Sequence, residues 1–250
     1  ALREQISRRE EAEQKLKYDA MHDQLTGLAN RNQLYERLKQ SLSLYQNNPA
    51  RMFAVFFIDL DRFKPINDLY GHEIGDRVLQ EVSKRLRGCT RQEDLVGRLG
   101  GDEFVVILPY IDSERYRASI IAQNIIDTIS QPYRIDQYEL NLSASIGISY
   151  FPANATDVSM LIHTADLAMY QAKQSGRANY QPYTPELDQR ANEALAIEIK
   201  LKNALKHGTL VLHYQPVIEI ENGKLVGAAQ EERFTRIKHD YHFPSNAIAY

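Results

Sequence analysis

A single cysteine, Cys89, serves all 250 residues. It has no partner for an internal disulfide, and it excludes a thiolate metal cluster. No apolar run approaches the roughly 18 residues that a membrane-crossing helix needs. Nor is there an excess of charge of either sign. Thirty Lys and Arg stand against 33 Asp and Glu, a formal net charge of -3, so a protein built to hold nucleic acid by neutralising phosphates is not expected. The chain opens Ala1-Leu2-Arg3-Glu4 with neither initiator methionine nor an apolar leader. That suggests a piece of a longer, sensor-linked or membrane-anchored protein whose present part is cytoplasmic, in a reducing setting. What is there is ordinary globular composition, 43% hydrophobic and 25% charged, enough for one or two domains.

Residues 1–21 contain helix formers and balanced charge, with a partly apolar heptad seam of Leu2, Ile6, Arg9, Glu13, Leu16 and Ala20. A solvated connector helix and a parallel coiled coil between two copies both fit. After a polar break, Asn30 is placed to cap a helix that Asn47-Asn48-Pro49 stops. Residues 52–58 form a continuous apolar run, too short for a buried helix and right for a central strand. The remaining periodicities give helices near 62–69, 74–87, 112–130 and 157–174, and strands near 95–99, 103–108, 133–135, 139–150 and 179–181. The order β-α-α-β-β-α-β-β-α-β predicts an α+β fold, a palm-like split βαβ sandwich of the nucleotide-cyclase or ferredoxin-like kind. Its sheet is antiparallel-rich with helices on one face. A further helix to about residue 207 and a hairpin turning at Asn222-Gly223 follow. The expected domains are a connector helix (1–21), a central domain (22–182) and a linker helix with an incomplete segment (183–250).

The chemistry concentrates in carboxylates. Asp59 ends the buried strand, and Asp102 and Glu103 follow the glycines of a tight turn at Gly100-Gly101. A hairpin that needed only a turn would not require Asp-Glu at that point. If the turn lies beside the strand end, three carboxylates converge into an oxygen-rich site suited to Mg²⁺, which prefers one or two carboxylates plus substrate phosphates. Lys173 and Arg177, four residues apart, share one helix face.

Arg98-Leu99-Gly100-Gly101-Asp102-Glu103-Phe104 carries an intact G-G-D-E-F signature, and over residues 20–182 the chain resembles the GGDEF family of diguanylate cyclases. Three further stretches agree: Asp23-x-Leu25-Thr26-Gly27-Leu28-x-Asn30-Arg31; Phe57-Ile58-Asp59-Leu60-Asp61-x-Phe63-Lys64 with Asn67-Asp68 and Gly71-His72-x-x-Gly75-Asp76; and Ala172-Lys173-x-x-Gly176-Arg177. The resemblance implies a homodimer that condenses two GTP into cyclic di-GMP and pyrophosphate. It implies Mg²⁺, or Mn²⁺ in its place, held by Asp59, the Leu60 carbonyl and Asp102. Glu103 would support a second metal or help deprotonate the attacking 3′-hydroxyl. Asn67 and Asp76 would read guanine, and Lys64, Lys173 and Arg177 would hold the triphosphate. Phe63 belongs to the same nucleotide-binding stretch, with packing its expected part. Asp61 is expected to cap a helix. Arg91 and Asp94 resemble the family's R-x-x-D site for inhibitory cyclic di-GMP. The rival reading is a silent module that binds GTP or cyclic di-GMP and regulates an adjoining phosphodiesterase.

Residues 185–228, with Leu212-His213-Tyr214-Gln215-Pro216-Val217 and Gly223-Lys224-Leu225-Val226-Gly227-Ala228, resemble the opening of an EAL phosphodiesterase domain. The Glu-Ala-Leu of that family would fall at 229–231, where this chain has Ala229-Gln230-Glu231. The stretch from about 228 to 250 resembles part of the NodU-type carbamoyltransferases and is too short to carry their activity. A fusion or a frameshift would account for it. His213, His239 and His242 do not form a metal set.

Overall fold

The computed structural model describes residues 9, 13, 15–16, 18–46, 52–111, 115–207, 213–218 and 225–231. The chain divides into two units, residues 1–189 and 190–250. In the first, helical residues 18–21 lead through a turn into α1 (Arg31–Gln46). Then come β1 (Met52–Asp61), α2 (Phe63–Tyr70), α3 (His72–Cys89), β2 (Leu95–Gly100), β3 (Glu103–Ile111) and α4 (Tyr116–Ile129). Strands β4 (Tyr133–Ile135), β5 (Tyr138–Leu140) and β6 (Ser143–Phe151), helix α5 (Val158–Gln174) and strand β7 (Tyr180–Pro182) follow, before α6 (Pro185–Lys206). As expected, Asn30 caps α1, its Oδ1 accepting from the Gln33 N–H at 3.1 Å.

The main sheet has the order β2-β3-β1-β6-β7. Only the β6–β7 pair is parallel. The fold is therefore α+β with an antiparallel-rich mixed sheet, as the palm-like reading requires. Two differences are instructive. The expected strand over 139–150 is two strands, because β5 pairs with β4 in a ribbon of its own while β6 pairs with β1. The chain changes sheets at Asn141-Leu142 and cannot stay in register through the change.

Helices also cover both faces of the sheet rather than one. Strand alternation sends Ala54, Phe56, Ile58 and Leu60 of β1 into a core shared with α2, α3 and α4, and Phe53, Val55 and Phe57 into a second core shared with α1 and α5. An apolar run without alternation is what a strand buried on both faces must have. That one-residue alternation decides where the charged end of β1 points. Asp59 and Asp61 continue the Phe53-Val55-Phe57 row on the side of α1 and α5.

The second unit contains the rest of α6 and a hairpin of β8 (His213–Ile218) and β9 (Leu225–Glu231). The Asn222-Gly223 turn lies outside the described residues, as does the carbamoyltransferase-like stretch from 232 onward. Among the described residues no helix is long and apolar enough to cross a membrane.

Candidate active site

Strand β1 runs on through Asp59 to Asp61, so both carboxylates are strand residues. In register, Asp59 faces Glu103 of β3 on one side and Ser145 of β6 on the other. Like charges directly opposite in an antiparallel pair destabilise it, a conflict a sequence keeps only where it serves another end. Asp102 sits in the turn just before β3, where Gly100 (φ 149°) and Gly101 (φ 52°) adopt backbone that L side chains rarely take. A Cβ on either would meet nothing within 4 Å, so the turn needs the conformation rather than the space. The Leu60 N–H donates to the Asp102 carbonyl at 3.3 Å, which brings the two backbones against each other.

Burial pushes the Asp59 carboxyl above its ordinary range, and the charges of Asp102 and Asp61 add to this. A hydrogen bond from Lys173 opposes it. The Lys173 Nζ lies 2.7 Å from Asp59 Oδ1. Glu103 is also pushed up, by burial first and then by the charges of Asp166, Asp59 and Asp102, with Arg31 opposing. Asp166 and Arg31 were not among the expected residues. Asp166 lies seven residues before Lys173, two helical turns on the same face, and that spacing was the available signal. Among the described residues, no group of three or more His, Cys, Asp or Glu is close enough to hold a metal ion. The donor chemistry nonetheless fits a hard divalent ion. Asp59 and Asp102 would supply carboxylate oxygens, of which Mg²⁺ takes one or two, completing its shell from phosphates and water.

Asp61 is not a helix cap. Helix α2 begins after Arg62 in left-handed backbone (φ 62°) with no side-chain cap. Asp61 instead accepts from Ser143 Oγ (2.7 Å), Ser145 Oγ (2.8 Å) and the Ala178 N–H (3.1 Å) and is 3% exposed. Arg177 Nε stands 4.0 Å from it. Arg177 and Ala178 both have positive φ (64° and 47°), and the bond to Asp61 holds this strained turn against β1. Helix α5 ends at Gln174, so Arg177 lies in the turn beyond it and does not share a helix face with Lys173; the two, expected on triphosphate, face Asp61 and Asp59.

At the α2–α3 junction the Asn67 side chain lies over Gly75, the residue before Asp76. A Cβ at Gly75 would lie 1.8 Å from Asn67 Oδ1, so only glycine lets the Asn67 amide lie over the helix beside Asp76. Asp76 and Lys64 are exposed. Phe63 is 5% exposed and packs in the core, the part expected of it.

Arg91 and Asp94 share a loop but not an ion pair. Asp94 turns inward, its side chain 0% exposed, accepting from the Arg91 N–H at 2.8 Å and facing Arg117 Nη2 at 3.4 Å. Burial raises its carboxyl above the ordinary range. The Arg91 guanidinium is open to solvent, 3.8 Å from Glu93. A cavity of about 340 Å³ is lined by Arg87, Arg91, Gln33 and His22 among others.

The family described as "Diguanylate cyclase, GGDEF domain" matches residues 20–179. The bifunctional diguanylate cyclase/cyclic di-GMP phosphodiesterase MucR of Pseudomonas aeruginosa is 41% identical over 223 residues, 89% of this chain and 32% of that one. The cyclic di-GMP phosphodiesterase PdeR of Escherichia coli is 36% identical over 213 residues, 85% of this chain and 32% of its own. The chain thus spans about a third of the length of these relatives. Among solved structures, the GGDEF domain of TpbB (YfiN) from P. aeruginosa is 40% identical with a TM-score of 0.66, covering 68% of this chain and 99% of that one.

Proposed function

The chain belongs to the GGDEF family, and from that premise we propose that it is a diguanylate cyclase that acts as a homodimer, each copy presenting one GTP. The 3′-oxygen of one GTP attacks the α-phosphorus of the other. The bond from that phosphorus to the β-phosphate oxygen breaks, and pyrophosphate leaves. A second attack in the opposite sense closes cyclic di-GMP. Asn67 and Asp76 hold the guanine, the carboxylate accepting from N1–H and the exocyclic amine. Lys64, Lys173 and Arg177 hold the triphosphate. Asp59, Asp102 and the Leu60 carbonyl are the ligands for Mg²⁺, or Mn²⁺ in its place. When bound, the ion neutralises phosphate charge and makes the 3′-hydroxyl easier to deprotonate. Glu103 takes that proton or supports a second ion. Much of the rate gain is positioning of the two nucleotides against each other.

The observation that carries this reading is Asp59 facing Glu103 across the β1–β3 pair, a buried acid and a half-buried one whose opposition lowers stability unless a cation and phosphates join them. Incubating the chain with GTP and Mg²⁺ and separating products by chromatography tests it. Wild type yields cyclic di-GMP. Glu103→Gln loses about 10²-fold or more of turnover, on the scale of other deleted charge-stabilising groups, while its thermal midpoint stays level or rises. Near-normal production by Glu103→Gln refutes the assignment.

The family relationship of phosphodiesterase-named proteins favours one alternative, a silent module that binds GTP or cyclic di-GMP and regulates an adjoining EAL domain. The β8–β9 hairpin, with its EAL-like residues, is compatible with such a parent. Nucleotide binding without product in the same incubation selects this alternative. In either case the domains we propose are a connector helix (1–21), the GGDEF domain (22–182) and an incomplete EAL-like segment (183–250).

A further inference from the structure

Arg98 lies on β2, two residues before the two-glycine turn, and its guanidinium is committed in two directions. Nε and Nη2 donate to the Gly101 carbonyl at 3.0 and 2.8 Å, and Nη1 donates to the two carboxylate oxygens of Asp23 at 3.1 and 3.2 Å. The Arg98 side chain is only 10% exposed. Exposed ion pairs contribute little, but an enclosed guanidinium bonded on both flanks fixes geometry as well as charge. Asp23 is itself held: its Oδ1 accepts from the Thr26 N–H (2.9 Å) and hydroxyl (2.6 Å), and its N–H donates to the Leu28 carbonyl. At the other end, the Gly101 carbonyl belongs to the peptide bond that carries the Asp102 nitrogen. The guanidinium therefore sets the plane of the backbone leading into Asp102 and Glu103.

The segment around Asp23 is tied to the helical residues 18–21 as firmly as to the sheet. The His22 N–H donates to the Tyr18 carbonyl, the Asn30 N–H to the Met21 carbonyl, and Asn30 Nδ2 to the Ala20 carbonyl at 3.0 Å. On the sheet side, the Ala29 N–H donates to Val96 and the Arg98 N–H to the Ala29 carbonyl, forming a parallel bridge to Gly97. A Cβ at Gly97 would stand 2.6 Å from Leu34 and 2.7 Å from the Ala29 oxygen, so glycine alone permits this contact.

We propose that Arg98 is a positioning residue for nucleotidyl transfer: with Asp23 it links the helix that ends at residue 21 to the Gly101–Asp102 peptide, so that a displacement of that helix shifts the carboxylates of the turn. The proposal rests on the cyclase reading. It gives the leading helix a route to the site inside one copy of the chain. Misplacing reacting groups by about 1 Å costs on the order of 10²-fold in rate, so a small shift suffices.

The test uses the full chain with Asp23→Asn, Arg98→Lys and the double variant, measuring steady-state kinetics, thermal midpoint and residue-resolved amide hydrogen exchange. Each single variant is expected to lower kcat about 10-fold with the KM for GTP nearly unchanged, and the double variant to be no worse than the poorer single, because both act through one contact. Exchange at residues 101–103 should quicken about 10-fold in Asp23→Asn while residues 105–108 keep their protection. Additive losses in the double variant, a kcat that falls only with the folded fraction, or unchanged exchange at 101–103 would overturn the proposal. If wild type makes no cyclic di-GMP, the cyclase reading fails by itself, and the exchange comparison still decides whether Asp23 holds the turn.

Discussion

The ammonium of Lys173 and the carboxylate of Asp59 are in contact at 2.7 Å, so the final helix of the domain supplies the counter-charge for an acid of its central strand. A metal at Asp59 has to share that carboxylate with a lysine expected on phosphate. Lys173→Met therefore has opposite effects on the two ligands. Mn²⁺ alone, measured by calorimetry, should bind about 10-fold tighter, and GTP about 10-fold weaker. Affinities that fall together would show that Lys173 has no such double allegiance.

Gly75→Ala separates fold from recognition. The new Cβ collides with the tip of Asn67, a flexible side chain that can move away, and alanine favours helix over glycine by roughly 1 kcal/mol. The thermal midpoint should hold or rise while the KM for GTP climbs about 10-fold through loss of the Asn67 amide from the base. An unchanged KM would remove Asn67 from guanine recognition.

At the R-x-x-D loop the two residues should behave differently. Arg91→Ala removes an open guanidinium whose only described pair is long, so stability should not change. Cyclic di-GMP binding should weaken by roughly 5- to 150-fold if Arg91 grips guanine with two bonds. Asp94→Ala strips the acceptor from the Arg91 N–H and from Arg117, and should lower the thermal midpoint by several degrees. Melting curves and titrations with cyclic di-GMP check both. A stable Asp94→Ala variant would mean that the inward acid does not hold the loop.

The Asp23 carboxyl gives a pH signature. Burial alone would raise it, but hydrogen bonds from Thr26 and Arg98, with the Arg98 charge, outweigh burial and hold it below its unfolded value of 3.8. A depressed folded value adds stability above the unfolded pKa, and that stability is lost as pH falls through the folded one. The gap in thermal midpoint between wild type and Asp23→Asn should be widest near neutrality and should narrow below about pH 4. A gap independent of pH would mean that the Asp23 charge does not enter the balance.

The carboxylates could be read in the sequence because local rules placed them. An unalternating apolar run had to be a central strand, and two glycines followed by Asp-Glu had to be a turn with a purpose. Asp61 was misread because an acid just before a helix has the local signature of a cap. Its actual partners, Ser143, Ser145 and Ala178, lie more than eighty residues away. The helices of the second face escaped for the same reason: periodicity shows that a helix has an apolar side but not which side of a sheet receives it. Asp94 turned inward toward Arg117 on α4, a contact between residues that share no motif.

The strand that bears Asp59 pairs only with distant parts of the chain, Glu103 more than forty residues on and Ser145 more than eighty. Loop closure of that length must come before any return from the pairing, which makes such topologies slow to fold. During synthesis, β1 leaves the ribosome well before either neighbour. Asp59 therefore cannot meet Glu103 until β3 is made, nor Lys173 until α5 is made, and a chain cut short before that point carries the signature without the whole site.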